Sequence, residues 1–294
     1  MSLFASARDD GGRPPAEPRP LPRLVLVVPG GPYDDAARVR ALSDRIEALS
    51  GIRPRLRHSD GRSPHTAAAL LDPAGQDGVA GRVVAVPLTL EDGAGPSEPP
   101  AAGNVLVTPG PAGADALGTA LFGRLRDAEE RAGARADAVV VAAERPGESV
   151  RASAARLAGL LGAVPVVVAT GPAPTPGEAS GEARPGEPPA ETPGEAVGRL
   201  RAAGHRRVAV VAYALTAGRF TRSLSRLGAW AVTEPLADHP LTARLVLRRY
   251  AAVLADCQND RGDRVDQADQ SDRADRADEA DRARGTRPKP QSAE

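Results

Sequence analysis

Short apolar runs recur along this chain, and they are continuous rather than alternating. They fall at Leu24–Val28, Val83–Pro87, Val105–Thr108, Ala138–Ala142, Val164–Ala169, Val208–Ala212 and Trp230–Thr233, with a weaker candidate at Arg53–Arg57. A strand with one wet face alternates polar and apolar residues. A run that is apolar throughout reads as a strand of a parallel sheet covered on both faces. Helical patterns fill the spaces between the runs. Val39, Leu42, Ile46 and Leu49 are spaced three, four and three apart; Val150, Ala154, Leu157 and Leu161 are spaced four, three and four. Each set makes one apolar stripe on a helix. Strands alternating with amphipathic helices predict an open α/β sheet with helices on both faces.

The pattern also repeats. A shift of 114 residues lays VLVVPGGPYDD, from Val25, on VVVAAERPGES, from Val139, and brings Pro32 onto Pro146. A shift of 125 lays RVVAVPLTLEDGAG, from Arg82, on the strand of RVAVVAYALTAGRF, from Arg207, and Val107-Thr108 on Val232-Thr233. This is the trace of a duplicated α/β unit. The expected organisation is a tail at 1–22, a first unit at 23–130, a second at 131–256 and a tail at 257–294. The two units are expected to superimpose, each with a four-stranded, mostly parallel sheet. Within the second unit, 171–194 is dense in Pro, Gly and Glu and reads as a long irregular loop ahead of a helix starting near Glu195. In the C-terminal tail an aspartate recurs every third residue from Asp260 to Asp281. A three-residue period drifts around a 3.6-residue helix and makes no apolar face, so disorder is expected there.

Charge is balanced, 38 basic against 38 acidic residues, which gives no argument for nucleic acid or an anionic membrane. Aromatic residues make up 2% of the chain, so Val, Leu and Ala must build the core. A single cysteine, Cys257, leaves no internal disulfide framework and no cysteine-based metal cluster. No segment nears the roughly 20 apolar residues of a membrane span. The expectation is a cytoplasmic protein with no tightly bound cofactor.

Four segments carry a family resemblance: LVLVVPGGPYDDAARVRAL from Leu24, RVVAVPLTLEDGAG from Arg82, GHRRVAVVAYALTAGRFTRSL from Gly204 and EPLADHPLTARLVLRRYAAVL from Glu234. With these, residues 23–255 resemble the two-domain sirohydrochlorin chelatases, which insert Co²⁺ or Fe²⁺ into a tetrapyrrole for siroheme or cobalamin. The resemblance implies two tandem flavodoxin-like domains, a metal-insertion cleft between them, and a lyase reaction that needs no ATP. It also implies a metal-binding histidine at the end of the first strand and another after the third, two residues beyond a glycine. Neutral imidazoles there hold a divalent metal and accept pyrrole protons. In this chain the first position is Pro29, followed by Gly30-Gly31, and the second is Gly95. Neither side chain coordinates metal or moves a proton. The alternative is therefore a catalytically silent relative that binds a tetrapyrrole, a metal or an active protein partner.

Other residues supply candidates. Gly30 and Gly31 in the first turn, and Glu144 in the corresponding turn of the second copy, are candidate substrate contacts. A carboxylate at Glu144 or Glu148 can take a proton or act as a single hard metal ligand; acidic residues at a helix start also serve its dipole, and Asp34 and Asp35 read the same way. His58, Asp60 and His65 form a possible displaced metal set, set against an N-capped helix start at Ser63-Pro64 with ordinary loop histidines. His205 reads as a loop cation, His239 as a capping or packing residue, and Thr221 stands where some members of the family place a histidine. Gly30-Gly31 as a phosphate loop lacks the further glycine or lysine such loops use. Deleting 258–294 is expected to leave the thermal midpoint nearly unchanged in a calorimetric scan; a marked drop would show that the tail docks on the fold.

Overall fold

The computed structural model describes residues 21–29, 35–59, 83–90, 105–111, 113–171 and 191–255. In chain order the elements are β1 (Arg23–Pro29), α1 (Ala36–Ser50), β2 (Arg55–Ser59), β3 (Val83–Pro87), β4 (Val105–Val107) and α2 (Ala114–Ala132). There follow β5 (Ala138–Ala143), α3 (Glu148–Leu161), β6 (Val166–Thr170), α4 (Pro193–Ala202), β7 (Val208–Tyr213), α5 (Arg219–Leu224), β8 (Ala231–Val232) and α6 (240–255). Two four-stranded parallel sheets result, ordered β2-β1-β3-β4 and β6-β5-β7-β8. The identical order is that of two tandem flavodoxin-like units.

The continuous apolar runs behave as expected. All six residues of β5 and of β7 are buried. Alternate residues serve two cores: Val139, Val141 and Val211 face one, Val140, Val210 and Ala212 the other. On the first core lie α2 and α3; on the second, α4 and α5. In the first half, Val39, Leu42 and Ile46 of α1 pack with Leu24, Leu26 and Val84, whereas Leu49, expected on the same stripe, is 52% exposed. The helix ends one residue later, at Ser50, and is closed by the left-handed Gly51, so Leu49 lies in its last turn.

Strand pairing corrects the repeat by one residue. In the first half Leu24 lies beside Val84, and in the second Val139 lies beside Ala209. With β3 and β7 related by 125, β1 and β5 are then related by 115 rather than 114. A one-residue slip moves every side chain to the opposite face of a sheet. Under the corrected shift Leu24 and Val139 face the same core, and Val39, Leu42 and Ile46 fall on Ala154, Leu157 and Leu161. The Pro32–Pro146 coincidence had drawn the alignment one position out of register.

Two further expectations shift. The loop assigned to 171–194 gives way before its end, because Thr192-Pro193-Gly194-Glu195 is a capping box with proline at the first helical position. Thr192 Oγ1 accepts the Glu195 N–H at 3.3 Å, and the Thr192 N–H is accepted by Glu195 Oε2 at 2.8 Å. At the other end, Pro22 of the expected N-terminal tail is fixed, its carbonyl accepting the Tyr250 hydroxyl at 2.5 Å. Residues 1–20 and 257–294 of the expected tails, and 172–190 of the expected loop, lie outside the described residues.

The halves are joined by exchanged helices. After β4 the chain forms α2, which packs on α3, β7 and β8 of the second half. After β8 it forms α6, which returns to the first half through Tyr250 on Pro22 and Arg249 on Gly110. The exchange is reciprocal to the atom. Arg124 Nε donates to the Pro235 carbonyl at 3.0 Å, and Arg249 Nε donates to the Gly110 carbonyl at 3.3 Å. Donors and acceptors both lie 125 residues apart. Leu117 and Leu121 from α2, and Val246 and Tyr250 from α6, belong to a single apolar cluster that spans both sheets.

The crossing between halves is pinned by Glu129. It is 2% exposed, and its carboxylate accepts the Ala136 N–H at 2.8 Å, Arg135 at 2.7 Å and Arg126. Burial opposes its ionisation, but these three donors outweigh it and hold the carboxyl below the usual carboxylate range. Gly133 (φ 71°) turns the chain between α2 and this loop.

Helix α2 lies tight against α3 at Gly118, where an added Cβ would stand 2.6 Å from Arg156 Cβ and 2.8 Å from the Ser153 carbonyl oxygen. Gly→Ala inside an open helix stabilises by up to about 1 kcal/mol. Gly118→Ala is expected to reverse that sign and destabilise by about 1–3 kcal/mol. Gly159→Ala, with nothing within 4 Å, should be neutral or stabilising. Urea unfolding of the two variants checks the contrast.

Candidate functional site

In an open sheet of this order the crevice lies at the carboxyl ends of the strands where the winding reverses, here between β1 and β3 and between β5 and β7. At the first crevice β1 ends on Pro29, which is paired in register with Ser59, while Val28 is paired with His58. The neighbouring strand leaves through Leu88, whose N–H donates to the Val27 carbonyl at 2.8 Å. Pro29 thus occupies the end of a central strand, and His58 sits on the edge strand one residue short of its level. His58 is exposed. Gly30, Gly31, Asp34, Asp60, His65 and Gly95 lie outside the described residues.

At the second crevice, the corrected repeat places Glu144 where the first half has Pro29. Glu144 is exposed and follows Ala143, whose carbonyl accepts the Gly171 N–H at 2.8 Å. The Phe220 ring of α5 closes over Gly171, 3.2 Å from where a Cβ would be. Thr221 is engaged locally: its hydroxyl accepts the Gly218 N–H at 2.8 Å and donates to the Gly218 carbonyl at 3.1 Å, capping α5. Glu148 stands exposed in the first turn of α3. Among the described residues, no three His, Cys, Asp or Glu side chains converge as a metal site.

Asp35 differs from its sequence reading. It is the N-cap of α1 but makes no side-chain cap hydrogen bond. Its side chain, 3% exposed, crosses to the other half instead. Oδ2 accepts the Ala217 N–H at 2.7 Å, 182 residues away, and Oδ1 accepts from Arg38 at 3.0 Å. Arg38 goes on to Glu234 and lies 3.9 Å from Asp238, which pairs in turn with Arg124. Burial works against the Arg38 guanidinium charge, yet the Asp35 hydrogen bond and the surrounding carboxylates raise its pKa further. None of Arg38, Glu234, Asp238 and Arg124 stood out as a functional candidate from the sequence. One signal was available: under the 125 shift Glu234 and Asp238 replace Pro109 and Gly113, so two charges have entered where the repeat has small or apolar residues.

His239 lies in the same junction. Its Nδ1 accepts the Leu241 N–H at 3.3 Å, and its Nε2 lies 2.8 Å from where a Cβ on Gly123 of α2 would be. His205 is elsewhere, with Nδ1 3.8 Å from Asp137 Oδ1 at the foot of β5.

The fold defines a tandem flavodoxin-like α/β protein. No family model matches the chain, and no curated protein matches it. Among solved structures it is similar to a multi-domain protein of Deinococcus radiodurans described as having structural similarity to chelatases and two additional novel domains. The identity is 16% and the TM-score 0.46, over 78% of this chain and 55% of that one, so this chain spans about half of that protein's length. No helix among the described residues is long and apolar enough to cross a membrane.

Burial, with Arg124 nearby, depresses the His239 pKa below its usual 6.5, against the weaker opposing pull of Asp127 and Asp238. The unfolded chain therefore takes up this proton first, and stability is lost as pH falls below about 6.5. His239→Asn keeps an acceptor for the Leu241 N–H and removes the titration. Its chemical denaturation midpoint is expected to fall less between pH 7.5 and 5.5 than that of the unmodified protein. Equal falls would show that His239 does not set the slope.

Proposed function

We propose that this chain is a chelatase-like protein of tetrapyrrole metabolism that has kept the two-sheet scaffold and lost the metal-insertion chemistry. It binds a tetrapyrrole, a metal or an active partner in the cytoplasm rather than exchanging M²⁺ for two pyrrole protons. One observation carries the reading: the residue that ends central strand β1, beside Ser59 at the crevice, is Pro29. The family resemblance asks for an imidazole at that point, and a prolyl ring has neither a free lone pair for the metal nor a site for the proton. Glu144 in the equivalent place of the second half gives the silent form a polar contact for the ligand, alongside the Gly30-Gly31 turn.

A second reading keeps the reaction and moves the metal. It is favoured by His58, which shares the carboxyl end of the first sheet and lies in register with Val28. Asp60 and His65 would complete that set.

The test is insertion of Co²⁺ or Fe²⁺ into sirohydrochlorin, followed by absorbance. The silent reading expects a rate no higher than the uncatalysed one, and an increase above it in the double variant Pro29→His, Gly95→His. Two changes are needed because one imidazole alone makes a weak site. Pro29→His also restores a backbone N–H and frees the residue before it, so the recovered rate should be partial. Insertion by the unmodified protein that His58→Ala or His65→Ala abolishes would overturn the silent reading in favour of the second.

A further inference from the structure

We infer that the cleft where α2, α3 and α6 meet is a binding site for a phosphate-bearing small molecule. It shares no residue with the crevices at the strand ends and does not depend on what those crevices bind.

The cleft has a volume of about 440 Å³. Its lining is Gly113 to Ala116 at the start of α2, Ala152 and Arg156 of α3, and Arg248 of α6. Packing steers Arg156 into it. A Cβ on Gly118 would stand 2.6 Å from both Cβ and Cγ of Arg156, so the arginine stem lies flat on the α2 backbone. The guanidinium then reaches the first turn of α2, where Nε is 3.7 Å from Asp115 Oδ1. Arg248 comes from a different helix, is exposed, and pairs with no carboxylate among the described residues.

These cations stand at the wrong end of α2. The dipole of a 19-residue helix favours anions at its start and cations at its end, so two guanidinium groups there oppose it as well as each other. Asp115 does little to offset them, since its side chain is 95% exposed. The N-cap, Gly113, has no side chain to give the free N–H groups of the first turn. A bound oxyanion reverses the sign of the whole arrangement. It accepts from both arginines and from the amides, and a phosphate has oxygens enough to serve all three. The volume exceeds a bare phosphate and leaves room for an organic part.

The other half packs the equivalent place with a side chain. Under the 125 shift Ala114 falls on His239 and Arg248 on Gly123; under the corrected shift Arg156 falls on Ala41. His239 Nε2 lies 2.8 Å from where a Cβ on Gly123 would be, so its imidazole fills the space against that helix. In the cleft the imidazole is exchanged for a methyl group, and the glycine and alanine for arginines. Space and positive charge arise together, which packing alone does not ask for.

The experiment is calorimetric titration of the full chain with pyrophosphate at constant ionic strength. Saturable one-to-one binding is expected. Arg156→Gln and Arg248→Gln each remove a charged donor while keeping most of the stem, and each should weaken binding about tenfold. Ala114→His restores the side chain that the other half uses and should abolish binding; it serves if an arginine variant does not fold. Arg226→Gln, an exposed position beyond α5, should leave the affinity unchanged. No saturable binding at millimolar pyrophosphate would overturn the site. So would equal losses in Arg226→Gln and the two cleft variants, which would show general attraction to positive charge. Citrate bound more tightly than pyrophosphate would overturn the phosphate assignment in favour of a polycarboxylate.

Discussion

The apolar cluster shared by the two halves is the constraint from which the rest follows. A four-stranded parallel sheet must be covered on both faces, or its apolar strands meet water. Here part of that cover is supplied crosswise. The helix that follows β4 lies on the second sheet, and the helix that follows β8 returns to the first. The Arg124 and Arg249 side chains fix the crossing at equivalent carbonyls. At Gly118, where there is no room for a Cβ, α2 lies directly against α3 of the second half, so the helix from the first half is seated on the second by close packing.

Strand identity was legible in the sequence because burial on both faces leaves an unbroken apolar run. Val83–Pro87 is read to the residue, and the other runs to within one or two. The weaker β2 was displaced by two, since an edge strand carrying Arg55, Arg57 and His58 has no such run. The helix exchange was not legible. An apolar stripe tells that a helix covers something, but not which sheet, and Leu117–Leu121 would read the same on either. The one-residue error in the repeat has a similar cause. Two prolines in line are a strong visual match, while the facing of Leu24 and Val139 is visible only through their partners Val84 and Ala209.

At the site, sequence and structure divide differently. That Pro29 carries no ligating side chain is a matter of residue identity, and folding only places it at the end of a central strand. Asp35 is the reverse case. An acidic residue at a helix start looks the same whether it answers the helix dipole or an amide 182 residues away. Only the closure of the two halves distinguishes them. The two crevices have also diverged within one chain: Pro29 in one answers to Glu144 in the other, and Asp35 and Arg38 in one to Val150 and Ser153 in the other.

The bond from Tyr250 to Pro22 joins residues 228 apart. Its consequence lies in synthesis. As the chain leaves the ribosome, the first sheet is complete in strands once β4 has emerged, yet the helix that belongs on it is among the last parts to be made. During that interval α2 has no second sheet to lie on, and the first sheet lacks its returning helix. Local contacts can form early, but the closing ones carry the full entropy of a loop spanning most of the chain. The nascent protein therefore passes through a stage with its apolar strands partly bare, in which a vacant face can be met by another chain's helix as readily as by its own.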